Sequence, residues 1–591
     1  MLSSLAKVFR HRHGGVIGFF LLGFFLLGFF LLGFFLLALA VPCWPQTTTL
    51  PRLGMPYDWT HQHVIFSNAP SPKNMATAQR DPRFWYQKIR MESSKWVTRP
   101  TLPTEGRRVD WSVKLGGAGS EIAAGMYPAK YSFNVNAAPD CTNDYVVFAL
   151  NVAGSSSQAT IVGYNNLYTE PGGTGSCPGT GPTVEWAYNT GGAINTSPVL
   201  SGDGTKVAWV ASANPPVLHV LTIGTTGSNG TSVTGPAVAG TGNNAVDTAV
   251  SYGSVGDTRS SPFVDYTDDV AYVAADDGKI YKFTGMFRGT PTEVTTGGWP
   301  ILGYDLANHK LTSPVFDFIS KNIFYADDLG NFSYIREVGS TTGACASPPT
   351  PPCMGNSVYE VTAVAHPIID SPMVDSTTQR VFIFIGNDNE GHSHVLQTDT
   401  QLSTGGPEPV IGQSGMDLYD GFFDHNYFTS PQTGFLYVCG YPTSAANSSP
   451  VLYRIGFNSS GVMNSTHDAN SLAVATTAGA TRCSPATEFF NTSAGKDWLF
   501  FSVPTNCNAT GGGVGGCVMS FDITGGFPSA ATQGRPENSG TSGIVVDNVS
   551  TQAQASSIYF TTLGNAPSYS PCSDGSTGGG CAVKLTQSGL N

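Results

Sequence analysis

Charge is scarce in this chain. Lysine, arginine, aspartate and glutamate together make up 12% of its 591 residues, and the formal net charge is -12. No run of lysines and arginines forms a stripe that could follow a phosphate backbone, which argues against nucleic acid as a partner. Several chemical signatures are missing as well. There is no G-x-S-x-G elbow, no H-E-x-x-H helix and no P-loop, so the sequence offers no ready-made nucleophile, zinc-protease or phosphate-binding motif. Closely spaced C-x₂₋₄-C pairs, which a structural zinc site needs, are absent too. What is plentiful is turn-forming and apolar material. The chain has 70 glycines, 39 prolines and 40% hydrophobic residues, which excludes general disorder and suits an all-β protein with many turns.

One long hydrophobic run stands apart from the rest. Lys7, Arg10 and Arg12 precede an unbroken apolar stretch from Val16 to Val41, within which "GFFLL" occurs four times. As a helix this stretch would be about 39 Å long, against a bilayer core of about 30 Å. The positive flank predicts a cytoplasmic N-terminus and export of the remainder of the chain. Successive glycines at 18, 23, 28 and 33 would rotate by about 140° around such a helix, so they form no dimerisation ridge. Ala38-Leu39-Ala40 is an A-x-A cleavage pattern, but the run exceeds an ordinary signal core. Residues 1–40 are therefore read as a signal peptide or an N-terminal membrane anchor.

The cysteines agree with export. Ten of the 11 fall into neighbouring pairs: Cys141 with Cys177, Cys345 with Cys353, Cys439 with Cys483, Cys507 with Cys517, and Cys572 with Cys581. "CASPPTPPC" and "CNATGGGVGGC" are short polar loops, natural places for disulfides in an oxidising compartment. Spacing alone does not prove the connectivity, and free thiols remain the alternative. Cys43 is left over. A lipid anchor there is the minor reading, because Pro42 stands where a lipobox carries a small residue.

Residues 41–130 read as an irregular N-terminal segment that packs on the main domain. From 131 to 591 a repeat takes over. "SSPFVDYTDDVAYVAADDGKIYKF" returns in outline as "TSPVFDFISKNIFYADDLGNFSYI", and Ser-Pro anchors recur at Ser197, Ser261, Ser313, Ser371, Ser430 and Ser484, with Ser542-Gly543 as a degenerate seventh. A weaker unit, "NDYVVFAL" with "ATIVGYNNL", precedes them and makes eight. In "VAYVA" both strand faces are apolar, so the strand is covered on both sides. Asp277-Gly278 supplies the turn of a tight hairpin. A small sheet cannot bury both faces alone, whereas sheets stacked around an axis do so. The expected fold is all-β: an eight-bladed β-propeller of four-stranded blades, preceded by an N-terminal apolar helix. A two-sheet sandwich is the rival.

At these residues the chain resembles known repeats. "VAYVAADDGKIYKF" is similar to the repeat of pyrroloquinoline-quinone enzymes and of their non-enzymatic relatives, among them the propeller scaffold of outer-membrane protein assembly. "LSGDGTKVAWV" is closer to the blade of TolB-type propellers. The resemblance runs over roughly residues 131 to 590 and implies a propeller that hosts either binding or quinone-dependent oxidation. The chain departs from the enzymes in lacking a Cys-Cys pair. Their calcium ligands, catalytic Asp and tryptophan docking motif find no matching positions, so no catalytic residue is carried over.

Two polar clusters carry candidate chemistry. In "GNDNEGHSH", Asp388 and Glu390 offer hard oxygen ligands, while His392 and His394 share one strand face and suit a transition metal. The alternative is a solvated hairpin turn. In "DLYDGFFDHNYF", Asp417, Asp420, Asp424 and His425 lie among aromatics, a pattern of sugar sites and of glycosidase acid pairs. Packing between blades explains it equally well. His61 and His63 in "DWTHQH" form a third, weaker candidate. The leading reading is an exported, non-catalytic propeller at the cell envelope that binds a protein or glycan at its face, with a membrane contact if the leader is retained. The alternative is a quinone-dependent dehydrogenase or a carbohydrate-active enzyme. No cofactor is expected; Ca²⁺ and pyrroloquinoline quinone are the two that the resemblance leaves to test.

Overall fold

The computed structural model describes residues 54–57, 63–68, 72–92 and 108–587, save for short stretches within the last span, the longest being 338–344, 360–367, 443–448, 565–571 and 573–578. The apolar run 16–41, its expected helix, the cleavage site, Cys43 and His61 lie outside the described residues. Among the described residues no helix is long and apolar enough to cross a membrane.

Eight sheets, antiparallel among their blade strands, follow one another along the chain. The strand pairs expected from the sequence form the second and third strands of each blade. In blade 3 they are Val270–Ala274 and Lys279–Thr284, preceded by the inner strand Phe263–Asp265 and followed by Thr292–Glu293. Gly278 has φ +79°, the conformation its hairpin turn needs. Val270–Ala274 is buried at every position, because each blade is covered by both neighbours. The inner strand of blade 8 (Val545–Asp547) lies against that of blade 1 (Ala129–Ser132), so the eight sheets close into a propeller.

The Ser-Pro anchors now have a physical role. Two hydroxyl residues divide the work at the start of an inner strand. The first pins its own blade: Thr196, Ser260 and Thr312 accept the backbone N–H of Val210, Ala274 and Ala326 on the second strand. The second reaches the next blade. Ser261 Oγ accepts from Ser197 N, Ser313 Oγ accepts from Ser261 N, and Ser371 Oγ donates to Ser313 O. The chain of bonds continues from Asp420 N to Asp370 Oδ2, Ala486 N to Asp420 O, Thr487 Oγ1 to Ile544 O, Gly543 N to Met126 O and Tyr127 N to Ser197 Oγ. Each seam of the ring is bonded this way. Proline after the anchor costs nothing, since the first residue of the inner strand needs no N–H there.

The anchor of blade 6 differs from the sequence expectation. Ser430-Pro431 lies after the inner strand Phe422–Phe423, between helix His425–Thr429 and a short 3₁₀ turn. The anchor position is held instead by Asp420-Gly421. The apparent regular spacing at Ser430 came from an insertion between the first and second strands.

The stretch before residue 131, expected to be irregular, carries two helices and three strands. Arg108–Lys114 pairs with Cys581–Thr586 and is the outer strand of blade 8, so the last blade is built from both ends of the chain. Met55–Tyr57 pairs with the inner strand of blade 1, and Val64–Ile65 pairs in parallel with the inner strand of blade 5. Blades 1 and 5 are opposite in an eight-membered ring, so these two strands line opposite sides of the channel. Helix Pro82–Glu92 covers the lower end, where the inner strands finish: Arg83 Nη2 donates to Val264 O and Tyr86 OH to Val546 O.

Candidate functional site

The upper end of the ring is where the inner strands begin. Antiparallel order puts the connections between blades there, together with the turns between second and third strands. At its centre the hydroxyl pattern of the anchors breaks. Asp370 stands where other blades carry the first Thr or Ser, and Asp420 stands where they carry the second. Both reach the axis. Asp420 Oδ2 lies 3.8 Å from His63 Nε2, and Tyr127 OH lies 3.5 Å from Asp420 Oδ1. Burial, then the charge of Asp370, holds the Asp420 carboxyl well above the usual carboxylate range. Burial pushes His63 down to about 4, against the pull of Asp370, so its imidazole is neutral at neutral pH. His63, Tyr127 and Asp420 are buried, and chain segments 63–68 and 122–127 fill the axis around them.

At this end lies a shallow cleft lined by Gly125, Tyr419, Arg482, Ser484, Thr541 and Leu563 among others. Arg482 Nη1 meets Asp417 Oδ2 at 3.0 Å at its partly exposed rim. All five expected cysteine pairs are bonded, with Cα separations of 5.5–6.1 Å. Three staple this end. Cys439–Cys483 joins blade 6 to the connection entering blade 7, while Cys507–Cys517 and Cys572–Cys581 close the upper turns of blades 7 and 8.

The candidate residues separate into three groups. Asp388, Glu390 and His392 come together on the upper turn of blade 5, with one ligand atom of each within 4.8 Å of the others. His394 Nδ1 lies 3.5 Å from Asp388 Oδ2, and burial pushes its imidazole down to about 4. Asp420 and Asp417 belong to the upper end. Asp424 and His425 do not join them, because the inner strand carries them to the lower end. Asp424 accepts from Tyr427 N and Phe435 N, capping a short helix, and burial raises its carboxyl to about 6. His425 stacks on Phe490 at 3.6 Å. Equivalent Asp residues end the inner strands of blades 3, 4 and 5 and cap their turns: Asp265, Asp317 and Asp375 accept backbone N–H groups two or three residues on. Asp424 is the blade 6 member of that series.

Sequence reasoning missed Asp370, Tyr127 and Arg482. A signal for the first was present: "DSP" at Asp370 breaks the hydroxyl-Ser-Pro pattern of "TSP" and "SSP". Nothing local marked Tyr127, whose place depends on the whole ring.

No family model matches this chain, and no curated protein matches it. Among solved structures it is similar to Sqt1 of Chaetomium thermophilum, at 12% identity and a TM-score of 0.44, over 82% of this chain and 98% of that one. A second similarity, at 10% identity and a TM-score of 0.44, is to the same protein bound to the N-terminus of ribosomal protein L10, over 81% of this chain and all of that one. Likeness at this distance carries no argument about ligand or activity.

Proposed function

We propose that this protein is an exported, non-catalytic binding propeller of the cell envelope, and that its ligand, a protein or a glycan, docks on the upper end. The observation that carries this reading is the stapling of the upper loops around the Arg482 cleft over an axis already filled by the chain. Disulfide-held loops lose little freedom on binding, which favours recognition. The filled axis favours a surface ligand over a small molecule processed in the channel. Five disulfides suit an oxidising compartment. Loops on a rigid ring are the usual place for recognition.

The test is binding of the purified protein to a glycan array and to envelope proteins by cross-linking. Arg482→Ala, at the rim of the cleft, is expected to weaken binding of the ligand found by up to about tenfold, chiefly through slower association with a smaller salt dependence. Oxidation of alcohols or sugars that appears only with added quinone and Ca²⁺ would refute the reading and establish the dehydrogenase alternative.

A further inference from the structure

We propose that Asp388, Glu390 and His392 form a binding site for one divalent first-row transition cation, of the Zn²⁺ or Mn²⁺ class, and that His394 positions Asp388 within it. This site is separate from the Arg482 cleft and does not depend on the ligand bound there.

Among the described residues two other His–Asp pairs are in direct contact, while His63 and Asp420 at the axis stand 3.8 Å apart. His309 Nδ1 and Asp328 Oδ1 meet at 2.9 Å at the upper end of blade 4, and His219 Nδ1 and Asp247 Oδ2 meet at 2.9 Å in blade 2. Both are ordinary hydrogen-bond lengths. On the corresponding turn of blade 5 the contact stays open. His392 Nδ1 is 3.6 Å and His394 Nδ1 is 3.5 Å from Asp388 Oδ2. A direct bond would close these gaps by about 0.7 Å. Donor atoms that share a metal at about 2.0–2.2 Å stand about 3.0–3.5 Å apart, so the 3.6 Å between His392 and Asp388 needs only a small side-chain rotation to close on an ion.

The rest of the turn holds the donors in place. Asp388 Oδ1 accepts from Glu390 N at 2.7 Å and His392 N at 2.8 Å, which leaves Oδ2 as the outward oxygen. Ser393, between the two histidines, is tied to Gly386 O and Gln413 O. His392 and Glu390 are accessible from solvent, while His394 is buried behind Asp388. Ligating carboxylates are themselves held by hydrogen bonds from the surrounding shell, and His394 Nδ1, 3.5 Å from Asp388 Oδ2, stands within reach to supply one. Glu408 adds a third carboxylate close enough to feel the charge of Asp388. Among the described residues no lysine or arginine pairs with any of the three. Two carboxylates with one imidazole, and open positions for water, suit Zn²⁺ or Mn²⁺ better than a soft-metal set would. The N/O mixture also disfavours a Ca²⁺ cage, which takes six to eight oxygens.

The purified full chain is titrated with Mn²⁺, read by loss of the free-ion EPR signal, and with Zn²⁺ by calorimetry and by competition against bound Mn²⁺. One ion per chain is expected, competed by the other. His392→Gln and Asp388→Asn should each weaken binding by about a hundredfold or more, and His394→Gln by about tenfold, as loss of an orienting partner does. His309→Gln, which breaks the closed pair in blade 4, should leave binding unchanged. The His392 side chain is 40% exposed, so that variant decides the matter even if Asp388→Asn disturbs the turn. No binding of either ion at millimolar concentration, or binding that survives His392→Gln, would overturn the site.

Discussion

The seam between blades 2 and 3 and the seam between blades 8 and 1 do the same job with opposite chemistry. The first is apolar: Val199, Val210, Leu218, Tyr252, Val273 and Phe283 interlock in one cluster. The second has an apolar part around Trp111, Tyr164 and Tyr559, but beside it lies a buried network of charges. Lys584 Nζ meets Asp110 Oδ2 at 2.5 Å, Lys130 Nζ meets Asp547 Oδ2 at 2.8 Å, and Tyr168 OH donates to Asp144 Oδ2 at 2.7 Å. Both lysines are fully buried. Burial lowers the Lys584 ammonium from its ordinary range, against the pull of Asp110, and raises the Asp144 carboxyl. Buried ion pairs contribute little net stability and are costly to break singly. What they add is selectivity. Blades 2 and 3 are consecutive and find each other through a short connection, whereas blade 8 must take its outer strand from residue 108 onward and reject every other strand of similar pattern. We read the charge network as that selector.

The most severe perturbation removes the closing blade. Deletion of residues 542–591 would strip three strands of blade 8, orphan Arg108–Lys114 and expose two apolar faces of several hundred Å² each, worth roughly 10 kcal/mol or more at about 25 cal/mol per Å². The expected product aggregates; a soluble fragment with a cooperative melt would show that the ring does not depend on closure. A finer cut separates charge from packing. Lys584→Met alone should cost about 3–5 kcal/mol by leaving Asp110 buried without its cation, while Lys584→Met with Asp110→Leu should recover most of it. If the network selects the strand, the double variant stays folded yet forms strand-exchanged dimers on size exclusion. A double variant as monomeric as the parent would leave the network without a selective role.

The axis offers a pH test between these extremes. His63 is held at about 4 in the folded protein, below its ordinary value of about 6.5. The unfolded chain therefore binds the extra proton first, and stability falls as pH drops through the window from 6.5 to 4. Asp420 is shifted upward and acts in the opposite sense, so the contribution of His63 must be isolated by difference. His63→Gln should flatten the acid-side loss by about 1–3 kcal/mol between those limits; identical pH–stability curves for variant and parent would contradict it. The mildest perturbation falls on the apolar seam. Ser261→Ala removes the acceptor for Ser197 N and should cost about 1 kcal/mol by chemical denaturation. An effect as large as that of Lys584→Met would erase the distinction between the two seams.

How much of the architecture is legible in the sequence depends on where the signal lies. The middle strands of every blade were legible, because double-sided apolar runs and turns such as Asp277-Gly278 are local. The outer strands were not: Thr292–Glu293 and Leu472–Ala473 are two residues long and half exposed, so they show no pattern. Arg108–Lys114 was hidden for a different reason. Its partner, Cys581–Thr586, lies at the other end of the chain, and "RVDWSVK" carries no mark of it. Ser430-Pro431 misled because a helical insertion in blade 6 imitated the repeat length, while the true anchor had exchanged serine for Asp420. The candidate sites obeyed the same logic. Asp388, Glu390 and His392 sit on one hairpin and were found together. Asp420 was named without Asp370 or Tyr127, since three distant parts of the chain meet at the axis.

The strand at Arg108–Lys114 also sets a timetable. A chain made from its N-terminus presents this strand before any blade, and its partner, Cys581–Thr586, only after the other seven blades. Until then the strand waits without a sheet, and blade 8 has no outer wall. Val64–Ile65 waits likewise, because blade 5 is completed only when its outer strand, Val410–Gln413, has been made. Completion of the ring thus waits until residues 581–586 have been made. A copy that stops before residue 581 leaves the edge of Arg108–Lys114 unpaired, open to any chaperone or protease that samples such edges.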